Sequence, residues 1–288
     1  MKIILQRNFY GYCPGLKRSF QVADELIEKA KAENKKIFCD VPLAHNADVM
    51  SSLRRQGVEL IEMDENSRGE GQYFLVSAHG ASTKKVQWLK KIGFKVWDAT
   101  CPKVTTVQHQ ALADYKSGYQ IVIFGKANHA EIEGINGLVN KSAIIIDDTQ
   151  RAKEIVLTKK TSVISQTTLP VERFKEVFDI IKKNNPNIEI IARKTICPIV
   201  QNRITQIVEF AKSNGINRTV VVGSPTSSNT KSLAKALSAI CPTSMVADER
   251  SLDQKSFTGD ETVLVVSGTS APPEVVEKVA EKLARYKF

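Results

Sequence analysis

Three cysteines that are each followed by proline are the residues of this sequence with the clearest capacity for chemistry. They lie at Cys13-Pro14, Cys101-Pro102 and Cys197-Pro198. Proline fits the first turn of a helix, because its missing N–H is not needed there. Each pair therefore predicts a helix that begins directly after a thiol. Thiolates are soft ligands, so three of them brought together would bind a metal centre.

The helices predicted after these cysteines share an apolar face. The third, seventh, tenth and fourteenth residues after each cysteine should lie on one side of a helix. Gln108 is the one polar exception among these positions. The others are Leu16, Phe20, Ala23, Ile27, Val104, Ala111, Tyr115, Val200, Ile204, Ile207 and Ala211. The recurrence indicates an internal repeat.

Strands and helices alternate after each of the three predicted helices. The predicted first strands are residues 37–39, 121–125 and 220–223. The predicted second strands are residues 73–77, 162–165 and 263–267. A third type of strand leads to the next cysteine, at residues 94–97 and 188–191. The last repeat lacks this strand, and residues 2–6 before Cys13 would supply it.

This order predicts an α/β fold of three small, pseudo-threefold-related domains with parallel sheets around a central site. The expected domains are residues 11–99 with Cys13, 100–195 with Cys101, and 196–270 with Cys197. Residues 1–10 and 271–288 are expected to close the ring.

Polar side chains follow the predicted strands, where parallel sheets bind their ligands. After the first strands come His45-Asn46, His129-Ala130-Glu131 and Ser227-Ser228-Asn229. After the second strands come His79-Gly80, Thr167-Thr168 and Ser270. Hydroxyls and backbone N–H groups at a helix start can bind an anion. Together these positions predict a polar pocket for a diphosphate beside the three thiols.

The residues alone leave two kinds of metal centre open. A zinc ion with three cysteines and one histidine is one. An iron–sulfur cubane is the other, and three cysteines would leave one of its irons open. Cys39, inside an apolar strand, is expected to be a buried thiol, and Cys241 lies outside the repeat register. His109 is expected on a helix surface.

The composition of the chain limits the kinds of partner that it can be expected to bind. The 288 residues carry a net charge of +10, which favours a phosphorylated substrate or an acidic protein. The lysines are scattered and accompany no nucleic-acid-binding motif, so binding to nucleic acid is not expected. No apolar stretch fits a signal peptide or a membrane span. We expect a cytoplasmic protein with reduced cysteines.

Eight motifs in order make the sequence resemble the LytB family of 4-hydroxy-3-methylbut-2-enyl diphosphate reductases. They are Gly11-Tyr12-Cys13, Ala44-His45-Asn46, Ser77-Ala78-His79-Gly80, Asp98-Ala99-Thr100-Cys101-Pro102, His129-Ala130-Glu131-Ile132-Glu133-Gly134, Gln166-Thr167-Thr168-Leu169, the run from Gly223 to Asn229, and Ser270-Ala271-Pro272. The resemblance covers essentially the whole chain.

The resemblance implies a [4Fe–4S] cluster on Cys13, Cys101 and Cys197, with one iron open to the substrate hydroxyl. It implies that Glu131, with His129, supplies protons and that Thr167 hydrogen-bonds the reacting hydroxyl. The residues implied to bind the allylic diphosphate are His45, His79, His129, Thr167, Ser227, Ser228, Asn229 and Ser270. The products would be isopentenyl and dimethylallyl diphosphate of the non-mevalonate isoprenoid pathway. Ferredoxin or flavodoxin would donate the electrons.

The chain departs from the family pattern after two of the cysteines, at Pro14 and at Pro198-Ile199-Val200-Gln201, and also after Asn46. Three other functions remain open from the sequence. They are a quinolinate-synthase-like cluster enzyme, a non-catalytic relative that binds a diphosphate or a cluster, and a zinc-stabilised binding module.

Overall fold

The computed structural model describes residues 1–44 and 46–288 of the chain, and His45 lies outside the described residues. The strands in this part are β1 (Lys2–Leu5), β2 (Ile37–Cys39), β3 (Val58–Leu60), β4 (Tyr73–Val76), β5 (Lys95–Asp98), β6 (Gln120–Phe124), β7 (Ile144–Ile146), β8 (Thr161–Ser165), β9 (Ile190–Ala192), β10 (Arg218–Val222), β11 (Thr243–Val246) and β12 (Thr262–Ser267). The α-helices are α1 (Pro14–Ala32), α2 (Ala47–Arg55), α3 (Thr83–Lys91), α4 (Pro102–Lys116), α5 (Ala130–Leu138), α6 (Thr149–Glu154), α7 (Val171–Asn184), α8 (Pro198–Ser213), α9 (Ser228–Ser238) and α10 (Pro273–Ala284).

The strands form three four-stranded sheets, and every pair of neighbouring strands is parallel. The orders are β3-β2-β4-β5, β7-β6-β8-β9 and β11-β10-β12-β1. In each sheet the second strand of the repeat lies at one edge, and the first, third and fourth strands follow it in that order. The predicted α/β class with parallel sheets is therefore confirmed, and one topology is used three times.

The chain divides into two compact units. The first unit is made of Met1–Lys17, Ala44–Ser52 and Pro198–Phe288. The second unit is made of Arg18–Leu43 and Leu53–Cys197. The first unit contains one sheet, and the second unit contains the other two. The boundaries expected for three separate domains stay a prediction.

The sheet of the first unit includes the strand that the last repeat lacked. Lys2 to Leu5 of β1 pair in parallel with Thr262 to Val265 of β12, as the sequence predicts. One face of the sheet packs its valines against Val276, Val279 and Leu283 of α10. The other face packs against α8 and α9. The two layers of helices explain the apolar runs Val220–Val222 in β10 and Val263–Val266 in β12.

The sheets of the second unit have their own cores. Val122, Phe124 and Val163 lie on one face of the β6–β8 sheet, with Val177 and Ile181 of α7. Its other face packs against α4 and α5. The β2–β4 sheet packs Phe74 and Val76 against α3. These cores hold the carboxyl ends of β4 and β8 firmly in place.

Each of the three predicted helices begins at the proline after its cysteine, at Pro14, Pro102 and Pro198. The predicted inner faces are confirmed, since Ala23, Ala111 and Ile207 are almost fully buried. Cys39 is buried, and burial raises its pKa to about 12. Cys241 is buried as well, and His109 is exposed on α4. In the part of the chain that the structure describes, no helix is both long and apolar enough to cross a membrane.

Candidate active site

The three cysteines that precede helices are held in the same way. Each cysteine donates its backbone N–H to the carbonyl of the second residue after a β-strand. Cys13 bonds the carbonyl of Thr269 at 3.2 Å, and Cys101 bonds that of Ala78 at 3.0 Å. Cys197 bonds that of Thr167 at 2.7 Å. These bonds fix every thiol-bearing turn to the carboxyl end of a strand in its own unit.

The chemistry of these cysteines fits a soft metal centre. All five cysteines lie in the described chain and are in the reduced form, and Cys13, Cys101 and Cys197 are the partly exposed ones. Each of the three directly precedes a helix, and sulfur is a soft donor that suits a metal such as iron. Among the described residues, no three His, Cys, Asp or Glu side chains form a group that could hold a metal ion. The fit therefore rests on the type and setting of the donors.

Glu131 and Thr167 form a buried polar contact in the second unit. Glu131 lies in the first turn of α5, and Thr167 follows β8. The carboxylate accepts the Thr167 backbone N–H at 2.8 Å and the Thr167 hydroxyl at 2.9 Å. Because the Thr167 carbonyl accepts the N–H of Cys197, one residue connects the carboxyl group to a thiol-bearing turn.

The environment of Glu131 adjusts its acidity. The side chain is only 2% exposed, and this burial raises its pKa to about 7. The two hydrogen bonds from Thr167 and the charge of Lys103 act in the opposite direction. A carboxyl group with this pKa is protonated in about half of the molecules at neutral pH, so it can donate or accept a proton there.

His79 and His129 come from different sheets of the second unit and lie together. Their ring centroids are 5.3 Å apart, in an edge-to-face arrangement. The Nδ1 atom of His129 accepts the Glu131 backbone N–H at 3.3 Å, while His79 Nδ1 lies 3.1 Å from the Ser77 hydroxyl. The two strand ends thus bring two imidazoles together, and the backbone N–H of Glu131 is bonded to one of them.

The first unit has its own cluster of predicted residues at the start of α9. Ser227 caps this helix, and its hydroxyl accepts the Thr230 N–H at 3.3 Å. Asn229 is buried, and its side-chain amide donates to the Thr269 hydroxyl at 3.1 Å. The Thr269 carbonyl in turn accepts the N–H of Cys13. Ser228 lies between Ser227 and Asn229, Ser270 follows Thr269, and both serines are partly exposed.

Two glycines make the close approach of these loops possible. A Cβ atom on Gly223 would lie 2.5 Å from the Thr230 hydroxyl oxygen, and one on Gly268 would lie 2.3 Å from it. Thr230 is fully buried in the first turn of α9 and cannot move away. Only residues without a side chain allow the loops after β10 and β12 to pack against the start of this helix.

The segments before Cys13 and Cys101 are held by side chains that no sequence motif indicated. Ser19 and Arg18 of α1 donate to the carbonyls of Ala99 and Thr100, at 2.6 and 3.0 Å. Arg203 of α8 donates to the carbonyl of Gly11 at 2.7 Å. Ser19 and Arg203 are each the sixth residue after a cysteine, but Val107 holds this position in the remaining repeat, so no shared residue type marks it in the sequence.

The chain matches one protein family over nearly its whole length. The family model described as LytB protein matches residues 3–284. A 4-hydroxy-3-methylbut-2-enyl diphosphate reductase from Thermoanaerobacter sp. (strain X514) is 33% identical over 285 residues, which are 98% of this chain and 96% of that protein. The protein of the same name from Clostridium perfringens (strain SM101 / Type A) is 35% identical over 286 residues and covers 98% of both chains.

Two solved structures are similar to this fold. The E-1-hydroxy-2-methyl-but-2-enyl-4-diphosphate reductase from Plasmodium falciparum superposes with a TM-score of 0.89 at 26% identity, over 100% of this chain and 89% of that one. A structure of (E)-4-hydroxy-3-methyl-but-2-enyl diphosphate reductase, described as the terminal enzyme of the non-mevalonate pathway, gives a TM-score of 0.70 at 26% identity over 99% of both chains.

Proposed function

Because the chain belongs to the LytB protein family, we propose that it reduces 4-hydroxy-3-methylbut-2-enyl diphosphate to isopentenyl diphosphate and dimethylallyl diphosphate. The relatives place it among the oxidoreductases of non-mevalonate isoprenoid synthesis. The reaction breaks one C–O bond and forms one C–H bond. It consumes two electrons and two protons, and the hydroxyl group leaves as water.

The contact between Glu131 and Thr167 is the observation that carries this proposal. A dehydroxylation needs a proton source in a place that excludes water, because the leaving hydroxyl group must be protonated. Glu131 is buried, and its pKa is raised to about 7. Thr167 holds the carboxyl group in one orientation through its hydroxyl group. The same Thr167 hydroxyl would also bind the reacting oxygen of the substrate. His129, bonded to the backbone of the same turn, assists in the transfer of protons.

We assign a [4Fe–4S] cluster to Cys13, Cys101 and Cys197, on the chemistry of three reduced, partly exposed thiols at helix starts. When bound, such a cluster supplies electrons and one iron with an open coordination position. The backbone bonds of the three cysteines to strand ends keep the thiol-bearing turns in place without using the sulfur atoms.

The diphosphate is assigned to the polar side chains at the strand ends. These are His45, which lies outside the described residues, and His79, His129, Thr167, Ser227, Ser228, Asn229 and Ser270. The start of α9 supports this assignment, because backbone N–H groups and hydroxyls at a helix N-terminus attract phosphate oxygens. The paired imidazoles of His79 and His129 offer ring N–H donors to the same anion.

An acidic electron-transfer protein, a ferredoxin or a flavodoxin, is the proposed donor, because the chain has a net charge of +10. We also propose that the protein works in the cytoplasm, since a reducing compartment keeps thiol ligands available for a cluster.

The test is anaerobic purification with iron and sulfide analysis, followed by turnover of the allylic diphosphate with a chemical reductant. We expect iron and sulfide in the wild-type protein and both products. Glu131→Gln should keep the iron and sulfide and lower kcat by about 10²- to 10⁴-fold. Glu133→Gln is the matched control, because this carboxylate lies on the same helix and is exposed.

Other outcomes would contradict this function in different ways. Iron and sulfide without turnover would favour a quinolinate-synthase-like enzyme or a non-catalytic relative. Zinc without sulfide would exclude the cluster and would favour a zinc-stabilised module. Equal kcat values for the Glu131→Gln and Glu133→Gln proteins would remove the proton-donor role from Glu131.

A further inference from the structure

The segments that precede two of the cysteines are held by side chains from the same repeat position. Ser19, the sixth residue after Cys13, donates its hydroxyl to the Ala99 carbonyl, two residues before Cys101. Arg203, the sixth residue after Cys197, donates a guanidinium N–H to the Gly11 carbonyl, two residues before Cys13. In two cases, therefore, the sixth residue after one cysteine holds the backbone two residues before another cysteine.

The two positions differ in charge. Ser19 is neutral, whereas Arg203 brings a guanidinium group that is always protonated in proteins. Val107 is the equivalent residue of the remaining repeat and has no side-chain donor. Among the three residues at this repeat position, only Arg203 therefore brings a charged group to the segment before a cysteine.

The charge of Arg203 lies within electrostatic reach of Cys13. Burial lowers the pKa of Arg203, and a negatively charged Cys13 would raise it. The guanidinium group is partly buried, so its field is screened less than that of an exposed arginine. Gly11 is buried and has a φ of +80°, so the carbonyl that Arg203 holds belongs to a constrained turn.

We propose that Arg203 is a positioning residue that fixes the Cys13 turn and raises the reduction potential of the metal group bound there. This inference rests on the proposed function. Adding an electron makes a thiolate-bound cluster more negative, and a nearby fixed positive charge favours the reduced state. The hydrogen bond to Gly11 keeps the charge at a constant distance from the sulfur atom.

Two substitutions separate the hydrogen bond from the charge. Arg203→Gln keeps an N–H donor for the Gly11 carbonyl and removes the charge, while Arg203→Lys keeps the charge and one donor. Arg18→Gln is the matched control, because Arg18 also donates to a carbonyl next to a cysteine but is exposed to solvent. The potentials of the purified holoproteins are measured by anaerobic spectroelectrochemistry, with iron and sulfide content and with kcat and KM.

We expect Arg203→Gln to shift the reduction equilibrium about tenfold toward the oxidised state, equivalent to about 59 mV for one electron. Arg203→Lys should stay within about twofold of the wild-type equilibrium, and Arg18→Gln should do the same because solvent screens its charge. A wild-type potential in Arg203→Gln would overturn the inference. A raised KM for the diphosphate with an unchanged potential would overturn it as well, since Arg203 would then act on the substrate.

Failure to assemble the cluster has its own interpretation. If the Arg203→Gln protein contains no iron, the Arg203→Lys protein distinguishes the two explanations. Iron and a wild-type reduction potential in the lysine variant would support the role of the charge. A lysine variant without iron would overturn the inference. A wild-type protein without iron and sulfide would refute the proposed function itself. If the wild-type protein contains the cluster and the Arg203→Gln variant has the same reduction potential, only this inference would be refuted.

Discussion

Glu131 shows how a single residue obtains its chemistry from its surroundings. The carboxyl group is removed from water and receives two hydrogen bonds, both from Thr167. Burial favours the neutral acid and the hydrogen bonds favour the carboxylate, and the pKa settles at about 7.

The burial of Glu131 predicts a pH-dependent cost in stability. Its pKa is about 7 in the folded protein, against 4.5 in the absence of burial. The folded state therefore holds a proton that the unfolded state has lost between these pH values, and folding stability falls as the pH rises through this window. Glu131→Gln removes this loss.

The measurement is urea unfolding of both proteins at several pH values and in the same state of metal loading. The free energy of unfolding of the wild type, relative to Glu131→Gln, should fall by roughly 3 kcal/mol from about pH 4.5 to pH 7. A constant difference over this range would mean that Glu131 is ionised normally in the folded protein.

Thr167 predicts a shift of the activity profile with pH. Thr167→Val removes the hydroxyl that favours the Glu131 carboxylate and keeps the shape of the side chain. The pKa of Glu131 should rise, and the pH above which kcat falls should move upward by about one unit. Thr167→Ser keeps the hydroxyl and should keep the profile. Equal profiles for the valine and serine variants would contradict this assignment.

At the scale of elements, the loops after β8 and β12 each hold two predicted site residues. The loop after β12 carries Thr269, which binds both Asn229 and the backbone of Cys13. The loop after β8 carries Thr167, which binds both Glu131 and the backbone of Cys197. Each loop thus fixes one predicted ligand and one predicted binding or catalytic residue at the same time.

The contact between Gly268 and Thr230 makes a prediction at this scale. Gly268→Ala would force a methyl group against the buried Thr230 hydroxyl and should lower the free energy of unfolding by about 1–3 kcal/mol. Thr230→Ala creates room for this methyl group. Because Thr230 Oγ1 has no hydrogen-bond partner among the described residues, losing it breaks no bond there.

A double-mutant cycle, measured by chemical denaturation, checks this packing argument. We expect a favourable coupling of about 1–2 kcal/mol when both substitutions are combined. Additive effects would show that the loop after β12 can move away from α9, and the requirement for glycine at this position would be wrong.

At the scale of the whole molecule, the net charge of +10 should govern the encounter with an acidic electron donor. The apparent KM for a ferredoxin should rise about tenfold between about 50 and 500 mM NaCl, because salt screens attraction between proteins. Turnover with reduced methyl viologen, a cationic donor, is the control and should not lose rate in this way. A ferredoxin KM that is independent of salt would exclude electrostatic docking.

The fold and the sequence positions of many candidate site residues could be predicted, because short-range sequence patterns mark each repeat. Proline after cysteine marks each helix start, and the period of apolar residues marks its inner face. The strand that the last repeat lacked was predicted at the amino terminus, and β1 pairs with β12 as expected. Gln108, the polar exception on α4, is nevertheless buried at 7% exposure, so periodicity predicted burial better than residue type did.

Other features could not be predicted, since they depend on contacts between distant parts of the chain. Arg203 and Gly11 are 192 positions apart, and Ser19 and Ala99 are 80 positions apart. Nothing in the local sequence of Arg203 distinguishes it from the other basic residues of the helices.

The sequence by itself determined the three thiol-bearing helix starts, the alternation of strands and helices, and the polar residues at the strand ends. These follow from backbone geometry and apolar periodicity, which act over a few residues. Only the tertiary structure decided that Glu131 is enclosed and bonded twice by Thr167, and that Arg203 holds the turn of Cys13. Burial and electrostatic surroundings arise when distant segments exclude water together, and this is why they are properties of the folded chain.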